Sequence, residues 1–227
     1  MLSTVSFDLC DVLRTAEDVL IVGAGHSATS YKDLGLRDDY DVVLTINNAS
    51  QTAVDADFYL VEPANNANFS HMVSGLDLKK VIVKERAFSK LSPDKLKEMT
   101  DIYEAANLPI QCVSYSIPSA KLWGLIRVVA AKCSSRSVQW CGSLSLLIDC
   151  CVKAKVPHIG FIGTDFGGKY AVEPDWKVRS IITHSLATKR RRGYSFFYIV
   201  KALKLVGYFG KTSFSHHHNS SRFESLL

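Results

Sequence analysis

The residues best suited to chemistry form a glycine-rich loop directly after the first predicted strand. That strand, at 19–22, leads into Gly23, Gly25 and Ser27. A strand–GxG–helix junction lets the backbone approach a phosphate, whose charge the helix N-terminus stabilises. Many α/β proteins need a glycine turn at this place for packing alone. The motif therefore leaves nucleotide binding and a purely structural turn open.

The residues after the second predicted strand bear on which nucleotide such a loop would hold. A nicotinamide or flavin site needs a carboxylate there, about 20 residues beyond the loop, for the ribose hydroxyls. This chain has Asn47 and Asn48 instead. Asparagine can bind a ribose or a base, but it is not that carboxylate, so the sequence disfavours a dehydrogenase.

A second polar group follows the last predicted strand, where Asp165 and Tyr170 flank a Gly-Gly pair. Ligands of open α/β sheets bind beyond the carboxyl ends of strands, which favours both residues as ligand contacts. Asp165 is equally typical of a turn whose carboxylate accepts from backbone amides. His184 precedes the basic run at 189–192; histidine can accept a proton near neutral pH, although a lone histidine is more often structural.

Metal sites are not expected. The three consecutive histidines at 216–218 lack spaced carboxylate or cysteine partners, so we expect a solvated segment there. The six cysteines are scattered and form no CxxC pair, which predicts reduced thiols and a cytoplasmic compartment.

The elements that must position these residues alternate β-branched runs with helical patterns. This alternation is typical of a mostly parallel sheet flanked by helices, a Rossmann-like α/β fold. We predict strands at 19–22, 42–46, 58–61, 81–84, 110–114 and 159–162, and helices at 28–34, 93–106, 119–133 and 143–155. Ser92 is expected to cap the second of these helices, and Pro93 suits its first turn.

Composition and charge narrow the function classes. The 227 residues are 47% hydrophobic and 22% charged, which excludes a disordered or low-complexity chain. Residues 177–227 carry ten Lys and Arg against one acid, a net charge of +9, so residues 1–176 carry −4 of the total of +5. This basic segment favours an anionic partner such as a membrane surface. No RNP-like motif indicates nucleic acid, and no apolar stretch reaches the roughly 20 residues of a membrane span.

In their sequential order these motifs resemble the bacterial sialyltransferases of glycosyltransferase family 42. The resemblance covers most of residues 19–190 and rests on these features: the GAGHS loop, Asn47, the helix start at Gly142 and Ser143, the Gly-Thr-Asp-Phe segment that contains Asp165, Tyr170, and His184 followed by serine. It implies a single Rossmann-like domain, a variant of the GT-A architecture, at 1–188. It also implies a basic C-terminal segment at 189–227 that associates with the inner face of the cell membrane.

The resemblance implies an activity as well. The enzyme would transfer a CMP-activated acidic sugar to a hydroxyl of a lipooligosaccharide or polysaccharide, with inversion and without a metal or other cofactor. Gly23, Gly25 and Ser27 match the loop that holds the donor nucleotide. Asn47, with Asn48 as the alternative, matches the asparagine after the second strand.

The remaining site residues follow from the same resemblance. Tyr170 matches the tyrosine that hydrogen-bonds the departing CMP phosphate, and His184 matches the general base that deprotonates the acceptor. Gly142, Ser143 and Asp165 are expected to complete the nucleotide contacts.

Several alternatives stay open. On the donor-sugar side, Trp140 and Cys141 stand where the family has Thr-Ser, and Glu62 stands where it has Asn before Pro63. The sugar is therefore sialic acid, a related nonulosonate or Kdo. The rival functions are a non-catalytic nucleotide- or anion-binding protein, whose basic segment docks on membrane or RNA, and a related Rossmann-like pyrophosphokinase. The sequence also permits a homo-oligomer.

Overall fold

The computed structural model describes residues 3–64, 68–88, 90–114, 143–164, 203–205 and 207–217. These residues contain a single sheet whose eight strands are β1 (Thr4–Ser6), β2 (Asp18–Val22), β3 (Val42–Ile46), β4 (Phe58–Val61), β5 (Val81–Lys84), β6 (Ile110–Val113), β7 (His158–Ile162) and β8 (Ser213–His216). The spatial order is β1-β6-β5-β4-β3-β2-β7-β8, and every neighbouring pair is parallel. This architecture confirms an α/β fold of the Rossmann-like kind.

Helices cover both faces of this sheet. The described helices are α1 (Leu9–Leu13), α2 (Phe69–Val73), α3 (Glu85–Phe88), α4 (Pro93–Ala105) and α5 (Ser143–Ala154). Successive strand side chains point to opposite faces, so β2 contributes Val19 and Ile21 to a core with α1 and α5. Leu20 and Val22 belong to the opposite core with α2 and α4. Because both faces are covered, the central strands are apolar at almost every position.

The six predicted strands are confirmed, each to within one residue at either end. The predicted start of α4 is also confirmed, because Ser92 Oγ accepts from the Lys95 N–H at 3.4 Å and Pro93 occupies the first turn. α5 begins at Ser143 as predicted and ends one residue early. The predicted helix at 119–133 lies outside the described residues.

The predicted helix at 28–34 is wrong. A 3-10 turn, His26–Ser30, takes its place and is followed by further turns. The segment is rich in serine and threonine, whose hydroxyls compete for backbone groups and weaken an α-helix. Thr29 Oγ1 donates to the carbonyl oxygen of His26 at 2.8 Å, which is one such bond.

Strand β8 and the residues before it extend the sheet beyond the region where strands are predicted. β8 pairs with β7, and Leu203 is fully buried in the core of α1 and α5. The predicted domain boundary at residue 188 falls outside the described residues, but β8, which lies beyond it, shares one sheet with β7. The expectation of a solvated histidine cluster is wrong for His216 and His217, which are half-buried. Within the described ranges, no helix is both long enough and apolar enough to cross a membrane.

A carboxylate joins the amino ends of β2 and β3. Asp41 Oδ2 accepts from the backbone N–H groups of Glu17, at 2.8 Å, and Asp18, at 3.2 Å. These two hydrogen bonds stabilise the ionised carboxylate and lower the pKa of Asp41 below its ordinary 3.8. A carboxyl whose pKa is lower in the folded state stabilises the fold fully above its unfolded pKa. That contribution is lost as the pH falls through the folded pKa.

We therefore expect Asp41→Asn to lower the free energy of unfolding at neutral pH, and to lower it less as the pH falls below about 4. Urea unfolding between about pH 7 and about pH 3 measures this difference. Asp33→Asn, at an exposed position before β3, is the matched control and should change little. If wild type and Asp41→Asn differ in unfolding free energy by the same amount at every pH in this range, the charge of Asp41 does not stabilise the fold.

Candidate functional site

The strand order reverses between β2 and β7. From β2 the sheet continues through β3 and β4 on one side and through β7 and β8 on the other. Open α/β sheets bind their ligands beyond the carboxyl ends of the strands at such a switch point. The loop at 23–27 follows β2, and Gly163 and Thr164 follow β7, so both segments lie at this switch point.

Three hydrogen bonds join the two loops at the switch point. The Gly23 N–H donates to the carbonyl oxygen of Ile162 at 2.7 Å, and the Gly25 N–H donates to that of Gly163 at 2.6 Å. In return, the Gly163 N–H donates to Ser27 Oγ at 2.8 Å. Ser27 is buried, so its hydroxyl holds the loop from within.

The close approach of the loops requires glycine. A Cβ at Gly23 would lie 2.4 Å from the carbonyl oxygen of Gly163. Gly163 has a φ of +70°, and a Cβ there would lie 2.1 Å from the carbonyl oxygen of Gly23. The structure thus shows the packing role of the glycine motif. A phosphate at this loop would depend on N–H groups other than those of Gly23 and Gly25, which already donate to carbonyls.

A second polar group lies at the carboxyl ends of β3, β4 and β5, and we call Asn47, Glu62, Lys84 and Ser143 the Glu62 cluster. Asn47 Oδ1 accepts from the Glu62 N–H at 2.8 Å. Glu62 Oε2 accepts from the Ser143 hydroxyl at 2.9 Å and from Lys84 Nζ at 3.3 Å. Asn47 has a φ of +51°, a left-handed conformation that asparagine tolerates better than most residues. Glu62 thereby brings together two predicted site residues, Asn47 and Ser143.

Burial differs sharply between the two charged members of this cluster. The Lys84 side chain is 5% exposed and that of Glu62 is 42% exposed. Removing a lysine charge from water is costly, and the contact with the Glu62 carboxylate offsets part of that cost. Glu62 Oε1 accepts no hydrogen bond from any described residue. One oxygen of this carboxylate is therefore fixed, and the half-exposed side chain still has capacity to accept.

The end of β8 adds His216 to the same edge of the sheet, whereas the ring of His217 lies against Tyr40, which precedes β3. His216 Nε2 lies 3.0 Å from Thr164 Oγ1. The His217 ring contacts the Tyr40 hydroxyl. Burial, with the nearby His216 and His158, lowers the pKa of His217 below its usual value of 6.5 and so favours the neutral form of the ring.

Of the other predicted site residues, the structure describes only Asn48. Asn48 lies in the 3-10 turn after β3 and is buried. Gly142, Asp165, Tyr170 and His184 lie outside the described residues. The described ranges contain no group of three or more His, Cys, Asp or Glu that could hold a metal ion.

Only the resemblance places Glu62 on the donor-sugar side, and nothing in the local sequence predicts Lys84 or His216 as site residues. Lys84 reads as the last residue of an apolar strand, and His216 as part of a histidine run. One sequence feature could have identified these three residues. Each lies at or next to the carboxyl end of a strand, where an open α/β sheet binds its ligand.

Comparison with known proteins gives no match: no family model, no curated protein and no solved structure is significantly similar to this chain. The resemblance to glycosyltransferase family 42 therefore stays a prediction. The described residues define an α/β protein with an eight-stranded parallel sheet and polar side chains at the carboxyl ends of its strands.

Proposed function

We propose that this chain is an inverting, metal-independent glycosyltransferase that moves a CMP-activated acidic sugar, sialic acid or a related nonulosonate or Kdo. The acceptor is a hydroxyl of a lipooligosaccharide or polysaccharide. The observation that carries the proposal is the reversal of strand order between β2 and β7, because open α/β sheets bind nucleotides beyond the strand ends at that place. The residue that follows β3 is Asn47 and not a carboxylate, which disfavours a dinucleotide such as NAD.

The proposed reaction is a single displacement at the anomeric carbon. His184 accepts the proton of the acceptor hydroxyl as its oxygen attacks that carbon. The bond between the carbon and the CMP phosphate breaks, and CMP leaves with the electron pair while Tyr170 donates a hydrogen bond to the phosphate. Attack opposite to the leaving group inverts the configuration. Asp165 and Gly142 are proposed to contact the nucleotide.

The proposed location is the inner face of the cell membrane. Residues 177–227 carry a net charge of +9. Each basic residue close to an anionic lipid surface contributes about 1 kcal/mol of attraction. Docking of the proposed basic segment, 189–227, would bring the proposed nucleotide site to a lipid-linked acceptor without a spanning helix.

CMP release in the presence of a lipooligosaccharide acceptor tests this function. We expect release from a CMP-activated sialic acid or Kdo that depends on the acceptor and is unchanged by excess EDTA, because the proposed chemistry uses only protein groups. Loss of transfer in EDTA with recovery on adding Mg²⁺ would contradict metal independence. Absence of acceptor-dependent release with every CMP-activated acidic sugar would contradict the transferase itself.

A further inference from the structure

We propose that Glu62 is a specificity-determining residue at the carboxyl end of the sheet, and that its carboxylate accepts hydrogen bonds from hydroxyl groups of the bound ligand. The proposal deepens the proposed function, since it rests on a nucleotide sugar or nucleotide binding at the switch point between β2 and β7. The hydroxyls belong either to the ribose or to the transferred sugar.

The position of Glu62 suits such a contact. It follows β4 directly, and β4 is separated from β2 by β3 alone. Adjacent strands lie about 4.8 Å apart, so the end of β4 is roughly 10 Å from the end of β2 along the sheet edge. This span is within the length of a nucleotide whose phosphate lies at the switch point.

The orientation of Glu62 is fixed before any ligand arrives. Its backbone N–H is held by Asn47, and its Oε2 is held by Ser143 and Lys84. A carboxylate only accepts hydrogen bonds, so its remaining capacity can be satisfied by a hydroxyl or an N–H donor. Fixing the side chain in advance reduces the entropy lost when such a donor binds.

The charge of Glu62 restricts which part of the ligand it can face. A carboxylate repels a phosphate or a sugar carboxylate but accepts strong hydrogen bonds from neutral hydroxyls. Lys84 is buried behind the carboxylate and is already engaged with its Oε2. Glu62 therefore selects a neutral, hydroxylated portion of the ligand.

The alternative is that Glu62 only neutralises the buried Lys84. Glu62→Gln separates the two roles. Ser143 and Lys84 both present donors, so the glutamine is expected to turn its carbonyl oxygen towards them. Its NH₂ then occupies the position of Oε1, and a donor replaces the acceptor that a ligand hydroxyl needs.

The matched control is Glu85→Gln. Glu85 follows β5, accepts from the Ser114 hydroxyl and is exposed, so its change removes the same charge one strand away from Glu62. Thermal unfolding shows whether each variant is folded. If Glu62→Gln does not fold, Glu62→Asp replaces it, because aspartate keeps the charge towards Lys84 but withdraws the carboxylate by one methylene.

The experiment is calorimetric titration of wild type and variants with CMP, 2′-deoxy-CMP and a CMP-activated sialic acid. A hydrogen bond to a charged group predicts that Glu62→Gln weakens binding about ten- to a hundredfold, with little change in Glu85→Gln. If the ribose supplies the hydroxyl, CMP binding weakens and the preference for CMP over 2′-deoxy-CMP disappears. If the sugar supplies it, only binding of the CMP-sugar weakens.

If Glu62→Gln binds all three ligands as tightly as the wild type does, the proposal is overturned. Glu62 then only forms a structural ion pair with Lys84. Failure of the proposed function gives a different pattern, in which wild type binds none of the three. UMP, AMP and their 2′-deoxy forms are then titrated. A Glu62-dependent preference among them sustains the Glu62 proposal without the CMP function, and no binding of any of them overturns both.

Discussion

Gly163→Ala is expected to lower the free energy of unfolding by about 3–5 kcal/mol. We expect no other added methyl group at the contact between the loop at 23–27 and Gly163 to destabilise the protein as much. The new Cβ would lie 2.1 Å from the carbonyl oxygen of Gly23 and 2.8 Å from the Cβ of Ala28. The φ of +70° adds the ordinary penalty of an L-residue in the left-handed region. The loops can relieve the overlap only by separating, and separation breaks the hydrogen bonds that join them.

Thermal or urea unfolding measures this effect, and Gly35→Ala is the matched control. Gly35 has a φ of +64°, but a Cβ there would meet no atom within 4 Å. The control thus has the unfavourable φ of an L-residue without the steric overlap. It should lower the free energy of unfolding by only about 1–2 kcal/mol. If both variants lose the same free energy of unfolding, the contact between the loops contributes nothing to stability.

His184→Ala is expected to have the largest effect on turnover, a loss of about 10²–10⁴-fold, because general base catalysis typically contributes that much. The affinity for CMP should change little, since the proposed base touches the acceptor and not the nucleotide. Tyr170→Phe should also slow transfer, because it removes the hydrogen bond to the leaving phosphate.

CMP release, measured alongside CMP affinity, separates these roles. His71→Ala, at an exposed position of α2, is the control and should transfer at the wild-type rate. Turnover close to wild type in His184→Ala would remove the base assignment and leave a structural histidine. A loss of CMP affinity equal to the loss of turnover would instead place His184 at the nucleotide.

The central strands could be predicted from the sequence because strands buried on both faces consist of β-branched, apolar runs. Val42–Ile46 and Val81–Lys84 are examples, and both are found as predicted. β1 and β8 lack this signal. β1 is exposed at all three positions, and in β8 only Phe214 is apolar, so neither is distinguishable from a loop by composition.

The site could be predicted only in part, since its contacts join residues far apart in the chain. Asn47 and Ser143 are predicted individually, but their connection through Glu62 depends on the order of the strands. Likewise, the local sequence of the glycine loop predicts phosphate binding, but the residue that packs against the loop, Gly163, lies 136 residues beyond Ser27. Local spacing carries no information about either contact.

Thermal unfolding of the full chain with CMP, CDP, UDP and NAD tests whether it binds the nucleotide of a CMP-activated donor. A ligand at 100 times its dissociation constant stabilises a protein by about 2.7 kcal/mol, which corresponds to roughly 5–10 °C for a chain of this size. We expect CMP to raise the unfolding temperature by this amount and NAD to leave it unchanged. Stabilisation by NAD without stabilisation by CMP would contradict the proposed donor.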